Sequence, residues 1–327
     1  MSKFLIFRTD RIGDYIFSRM LTESIKNDNP KNTIDFVCSS YNSKYVKNFK
    51  DIRKIYILDK YDLGLMIKNL FKINSANYDY LIILDGKRRS VFFSMFLKAR
   101  KKFAVLKDFR PHLILKIFFN NYFINSEVNS QYNNFSSVIN YLNIKVPDRI
   151  DYYNNYNFKI NNFINLPSNF SLLHLDEKWF EGHYYNDFNY MNLNLKNFEL
   201  LINTIFKRFN KNIVVTSGNI NIKQFDQIKK NYFIKIKKNI FKSEKFKKKL
   251  FFIDNTDFRD LEYIVKLSDE LICCEGAISH VSNAFNKKTY ALINNFRTAR
   301  FWTSHMDNLT LLKRDNIIKI CKKITLM

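Results

Sequence analysis

Phe4-Leu5-Ile6-Phe7-Arg8-Thr9-Asp10-Arg11-Ile12-Gly13-Asp14 sets an apolar run against a polar, glycine-bearing turn. Lys3 to Arg8 reads as a short buried strand. From Ile12 to Ile25 apolar residues recur at helical spacing, ahead of Pro30, so a helix follows. In open parallel sheets ligands sit beyond the carboxyl ends of strands, and a glycine there lets a substrate approach the backbone. Gly13 and Asp14 occupy that position. Asp14 falls in the first helical turn, where the helix dipole favours a carboxylate. Two readings stay open for it: a helix cap, or a base that takes a proton from a hydroxyl nucleophile.

The same alternation continues outward from this unit. Thr33 to Cys38, Ile52 to Leu58 and Tyr80 to Leu84 read as strands, with helices over Leu63 to Ile73 and Ser90 to Leu97. Repeated βα units imply a parallel, doubly wound sheet. After Tyr141 the periodicity dissolves into Asn- and Tyr-rich sequence with Pro147 and Pro167, which reads as a connection between domains. A second series follows. Its strands are Phe170 to His174, Asn212 to Thr216, Leu250 to Ile253, Glu270 to Cys274 and Thr289 to Ile293. Helices are expected over Leu195 to Phe209, Ile222 to Lys229, Arg259 to Leu267 and Ile278 to Phe285. The expected domains are 1–155 and 156–327, a division that suits a chain of 327 residues.

A hydrophobic fraction of 46% and an aromatic fraction of 17% supply enough apolar material for two cores, which excludes a disordered chain. The net charge of +24 permits an anionic partner. The abundance of Lys, Asn, Ile, Phe and Tyr beside only 6 Gly and 4 Pro equally fits an AT-rich coding bias. Cys38, Cys273, Cys274 and Cys321 form no Cys-x-x-Cys pair and no disulfide framework. The first residues lack the long apolar region of a signal peptide, and no apolar run approaches the ~20 residues that span a bilayer. A cytoplasmic location is expected. Lysine-rich Lys237 to Lys249 reads as a solvated surface segment, and apolar His112 to Ile124 as a core helix or one lying on lipid.

Phe4 to Asp14 resembles the opening strand and turn of the heptosyltransferases, glycosyltransferase family 9, and further segments follow in the family's order. Tyr78 to Asp85 resembles a later strand of the first domain, followed by Gly86 and a basic loop, Lys87, Arg88 and Arg89, on the acceptor side. Leu173-His174-Leu175-Asp176-Glu177-Lys178-Trp179 resembles the segment whose lysine contacts the donor diphosphate. Glu275-Gly276-Ala277-Ile278-Ser279-His280 resembles the donor-binding signature after a late strand, and Thr216-Ser217-Gly218-Asn219 a nucleotide-side loop. The chain departs from the signature at Glu275, where Asp is usual, and at Gly276-Ala277, where a small residue precedes Gly.

The resemblance implies an α/β protein of the GT-B fold, two facing Rossmann-like domains with parallel sheets. The segment from Asp315 is a candidate to return to the first domain. It implies an inverting glycosyltransferase with Asp14 as base. Arg8, Arg11, Gly13, Lys87, Arg88 and Arg89 would meet the acceptor. Lys178, Glu275, Gly276, Ala277, Ser279, His280, Thr216 and Gly218 would meet a nucleoside-diphosphate sugar, an ADP-sugar first among them. The acceptor would be lipopolysaccharide core or another bacterial surface glycan, with peripheral contact at the inner membrane, no nucleic acid and a monomeric state. No cofactor is expected to be required. No Asp-x-Asp motif or His/Cys cluster suggests a metal, and no Walker loop or Gly-x-Gly-x-x-Gly motif occurs. Two rival expectations are a basic single-strand nucleic-acid binder and an inactive family member acting as a scaffold.

Overall fold

The computed structural model describes residues 1–59, 61–106, 117–124, 130–147, 166–180, 191, 193–218, 220 and 222–326. The chain divides into two compact units, one of Met1–Asn157 with Phe301–His305, the other of Phe158–Arg300 with Met306–Met327.

The first unit holds β1 (Lys3–Arg8), β2 (Thr33–Cys38), β3 (Ile52–Ile57), β4 (Tyr78–Ile83), β5 (Ala99–Leu106) and β6 (Asn121–Ile124) in the order β3-β2-β1-β4-β5-β6. All neighbouring strands are parallel. Helices α1 (Ile12–Asp28), α2 (Ser40–Val46), α3 (Leu63–Asn74), α4 (Arg88–Met95) and α5 (Gln131–Tyr141) accompany the sheet. Central β1 reads Phe4-Leu5-Ile6-Phe7, all buried, because a strand covered on both faces needs apolar residues at successive positions rather than alternate ones. Strand β5 escapes the sequence reading because its outer half carries Arg100, Lys101 and Lys102, while only Phe103 to Leu106 are buried. Residues 112–116 of the apolar stretch 112–124 lie outside the described residues, as do 148–165 of the expected connection. The end of that stretch, Asn121–Ile124, forms β6.

The second unit holds β7 (Phe170–Leu175), β8 (Asn212–Ser217), β9 (Ile234–Lys237), β10 (Ile240–Ser243), β11 (Leu250–Ile253), β12 (Glu270–Cys274), β13 (Lys288–Ile293) and β14 (Leu309–Lys313). Their order is β14-β13-β12-β7-β8-β11-β10-β9, parallel except for the antiparallel pairings of β10 with β11 and β9. Helices α6 (Leu195–Phe209), α7 (Lys223–Tyr232), α8 (Phe258–Leu267), α9 (Ala277–Ala284) and, after α10 (Phe296–Thr303), which begins in this unit and ends in the stretch that clusters with the first, α11 (Ile317–Leu326) complete it. In α6, Phe198, Leu201, Ile202 and Ile205 make a buried stripe at i, i+3, i+4 and i+7.

The expected return of the segment from Asp315 to the first domain is corrected. Helix α11 packs against α6, burying Ile317, Ile320, Cys321 and Ile324 in the second unit's core. Phe301–His305 is the stretch that clusters with the first unit, where Trp302 and His305 stand edge-on to Phe17.

Scarcity of glycine leaves a mark on the backbone. Among the described non-glycine residues a positive φ is taken by Asn77, Asn143, Asn169, Asn210, Asn255 and Asn286, all asparagine. Asparagine tolerates the left-handed region better than other L-residues, since its short amide bonds to nearby backbone. Among the described residues no helix is long and apolar enough to cross a membrane.

Candidate active site

In the first unit the candidate residues gather at the carboxyl ends of the adjacent strands β2, β1 and β4. Arg8, the last residue of β1, is buried. Its Nη1 donates to the Leu84 carbonyl (2.7 Å) and its Nε to the Asp14 carbonyl (3.0 Å). The same guanidinium pairs with Asp10 Oδ1 at 3.1 Å and Asp14 Oδ1 at 3.5 Å. One cation thereby clamps β1, the end of β4 and the first turn of α1. Behind it, Asn42 Nδ2 of α2 donates to the Arg8 carbonyl (2.8 Å).

Asp14 keeps both of its sequence readings. Its Oδ2 accepts the Arg11 N–H at 3.3 Å, a capping bond, yet its side chain remains 23% exposed. Arg11 is exposed beside it. Arg8 itself is buried, with its guanidinium turned to the Asp10 and Asp14 carboxylates.

Sequence reasoning assigned no role to Asp85, which organises this turn. Its Oδ2 accepts from Thr9 N (3.1 Å), Thr9 Oγ1 (2.6 Å) and Ser90 Oγ (2.7 Å), and its Oδ1 from Lys87 N (3.1 Å). Lys87 Nζ donates to the Thr9 carbonyl at 3.0 Å, so its ammonium holds the turn. The basic residues expected in a loop instead open α4, with Lys87 as N-cap and Arg88 and Arg89 as its first residues. Asp10 was also missed. Burial pushes its carboxyl up to about 6, with Asp14 and Asp85 adding to the shift and Arg8 and Lys87 opposing it.

In the second unit the three candidate segments follow β12, β7 and β8, which are neighbours in the sheet. Asp176 accepts from Lys178 N (3.1 Å) and closes the helical turn Glu177–Trp179. Trp179 is fully buried and donates from Nε1 to the His174 carbonyl (3.0 Å), anchoring that turn to β7. Lys178 Nζ then reaches across to the Glu275 carbonyl at 2.7 Å, with Asp176 Oδ2 at 3.5 Å. Burial lowers the lysine's pKa, but Asp176, followed by Cys274 and Glu275, outweighs it, and the net shift is upward. This lysine carries its positive charge at neutral pH.

Gly276 N-caps α9, and a Cβ added there would lie 3.4 Å from Lys178 Nζ. The ammonium thus stands close to the N-cap of α9, at a distance that a small side chain at position 276 would also tolerate. Ser279 Oγ is turned back on Gly276, donating to its carbonyl (2.6 Å) and accepting its N–H (3.3 Å). Ala277 is the first residue of α9, half-buried like Glu275. His280 is buried within the helix, and desolvation pushes its pKa down to about 4, which keeps the imidazole neutral. Thr216 is buried with Oγ1 held 3.0 Å from His174 Nδ1. Gly218, just beyond β8, has no heavy atom within 4 Å of its would-be Cβ. The Lys178 ammonium, the N-terminus of α9 and the backbone at Gly218 stand at the carboxyl ends of these three neighbouring strands, a set suited to phosphate.

No family model matches the chain, and a search of the curated proteins finds no match. Solved structures do match over its full length. The family 9 glycosyl transferase of Veillonella parvula aligns with 100% of this chain and 93% of its own, at TM-score 0.69 and 13% identity. The fold is GT-B. E. coli heptosyltransferase WaaC with ADP covers 98% of both chains at TM-score 0.70 and 11% identity. UDP-GlcNAc 2-epimerase from Methanocaldococcus jannaschii covers 99% of this chain and 92% of its own, at TM-score 0.58 and 16% identity. The GT-B fold of this chain is thus shared by glycosyltransferases and epimerases that use nucleotide sugars.

Proposed function

We propose that this chain is an inverting glycosyltransferase that moves a sugar, heptose or a related one, from a nucleoside-diphosphate donor to a hydroxyl of a bacterial surface glycan such as lipopolysaccharide core. The observation that carries the reading is the Lys178 ammonium, fixed on the Glu275 carbonyl and set close to Gly276, the N-cap of α9. A diphosphate leaving group gains negative charge as the glycosidic bond breaks. A cation and helix N–H groups already in place stabilise that gain more than the ground state. Asp14 takes the proton of the acceptor hydroxyl, whose oxygen attacks the anomeric carbon, and the bonding electrons leave with the diphosphate. Glu275 is one methylene longer than the Asp usual in the resembled signature, so its carboxylate reaches a sugar hydroxyl differently, which bears on the identity of the donor sugar more than on the reaction.

Cations at the start of α4 support an acidic or phosphorylated acceptor. Arg88 and Arg89 occupy the helix's first turn, where positive charge opposes the dipole at about 0.3–1 kcal/mol each. A bound anion offsets that cost.

Thermal shift against ADP-, UDP- and GDP-sugars tests the donor half, because a ligand at 100 times its Kd adds about 2.7 kcal/mol to stability. Asp14→Asn is expected to keep that donor-induced shift while turnover falls by about 10²–10⁴. Stabilisation by UDP-GlcNAc with its interconversion in the absence of acceptor would replace the transferase reading with an epimerase one. Salt-sensitive RNA binding without any nucleotide-sugar shift would replace both.

A further inference from the structure

Two cations are tied to the backbone around residue 275 in the second unit. One, Lys178, carries the function proposed above; the other is Arg314, the residue after β14. Cys274, Leu292 and Leu312 stand in register across β12, β13 and β14, so Glu275 and Arg314 leave the same end of the sheet from strands about 10 Å apart. A side chain on an outermost strand has solvent open to it. Arg314 is instead half-buried and folded inward over β13: its N–H donates to the Ile293 carbonyl (2.8 Å) and its Nε to the Leu292 carbonyl (3.3 Å). That Leu292 carbonyl also accepts the Glu275 N–H (3.0 Å), while the Glu275 carbonyl accepts Lys178 Nζ (2.7 Å). The Glu275 backbone thus links the two cations, its N–H sharing an acceptor with the guanidinium and its carbonyl holding the ammonium.

We propose that Arg314 is a second diphosphate-binding residue of this site, gripping with Lys178 the diphosphate of the nucleotide sugar. The inference rests on the donor half of the function proposed above and holds for transfer and epimerisation alike. Position, not the net charge of the chain, singles out this arginine. With Nε on the Leu292 carbonyl the plane of its guanidinium is set, and a guanidinium fork matches phosphate oxygens pairwise where an ammonium meets them as a point charge. The two charges also sense each other: Arg314 opposes the protonation of Lys178, and both act on the buried thiols of Cys273 and Cys274. Asp176 and Glu275 are the acids that face Lys178, with Asp176 at 3.5 Å from its ammonium. Asp315, the acid next to Arg314 in sequence, is engaged by Lys319 (3.3 Å) and Lys323 (3.8 Å) of α11. Holding like charges near one another costs free energy, and a diphosphate gripped by both offsets that cost.

Titration calorimetry of the full chain with ADP, UDP and GDP, and with the matching nucleosides, is the test. The wild-type chain is expected to bind at least one of the diphosphates. Arg314→Gln is expected to weaken that diphosphate by about 10–100-fold and to leave the nucleoside, which carries no phosphate, unchanged. Arg314→Lys keeps a cation without the fork; its affinity should fall between those of the wild type and the Gln variant, and it decides the matter if the Gln variant fails to fold. Equal diphosphate binding by the wild type and each folded Arg314 variant overturns the proposal; a loss confined to Lys178→Met would then leave the donor reading standing. Loss of nucleoside and diphosphate by the same factor also overturns it, because Arg314 then supports the fold and not the phosphates. No binding of any diphosphate by the wild-type chain overturns it together with the donor half of the proposed function.

Discussion

Asp10 and Asp14 sit four residues apart on one turn and share the Arg8 guanidinium, yet their surroundings differ. Asp14 caps α1 and keeps partial access to solvent, whereas Asp10 is 13% exposed and lies near the Asp14 and Asp85 carboxylates, the Lys87 ammonium and the buried thiol of Cys38. The folded Asp10 carboxyl titrates near 6 against an ordinary 3.8, so the folded state binds more protons than the unfolded chain between those values. Ionising it therefore costs stability, with no cost below about 3.8 and the full cost above about 6. Asp10→Asn is expected to raise the free energy of unfolding in urea at pH 8, by up to about 3 kcal/mol, and to give no gain near pH 4. An equal gain at both pH values would contradict burial as the cause. The sequence made Asp14 legible because a helix-start carboxylate after a strand is a local pattern. Asp85 and Asp10 were opaque because their roles depend on β4 settling beside β1, some 76 residues away in sequence.

Among the elements, those with an uninterrupted apolar signal were legible: β1, β2, β11 and β12, and the amphipathic α6, were expected within a residue or two of where they stand. Strand β5 was hidden by its basic outer half. The Lys237–Lys249 stretch does lie mostly on the surface, but part of it is β10, whose pairing with β11 buries little beyond Ser243 and which also pairs with the edge strand β9, exposed along its whole length. Edge strands carry lysine because it discourages pairing with other chains, so in a lysine-rich sequence their pattern merges with that of loops. Turns were also under-read, since glycine, the usual marker, is scarce and asparagine replaces it at left-handed positions. Asn143, just beyond α5, has φ 57° and is exposed. Asn143→Ala is expected to cost about 1 kcal/mol, because Cβ meets the following carbonyl in that conformation without a compensating amide, while Asn143→Gly should be neutral or slightly stabilising. Thermal melts of the pair check this. Equal losses in both would mean that the amide, and not the backbone conformation, matters there.

The molecule as a whole contains two tryptophans, one in each compact unit, and this allows each unit's response to acid to be followed. Trp179 is buried in the second unit's core, while Trp302 stands against Phe17 in the first. In the second unit, burial pushes both His174 and His280 down to about 4 from an ordinary 6.5. A depressed histidine stays neutral in the fold while the unfolded chain takes up a proton. The stability that it contributes is complete above about 6.5 and is lost as pH falls from there to about 4, up to about 3 kcal/mol for each residue. Asp10 gives the first unit the opposite slope between about 4 and 6. Urea unfolding followed by Trp179 in a Trp302→Phe variant should therefore weaken steadily from pH 6.5 to 4. Followed by Trp302 in a Trp179→Phe variant, it should weaken less or not at all. If both tryptophans report one midpoint with one pH slope, the two units unfold as a single cooperative body, and the acid sensitivity belongs to the whole chain instead of to the histidines around the proposed donor surface.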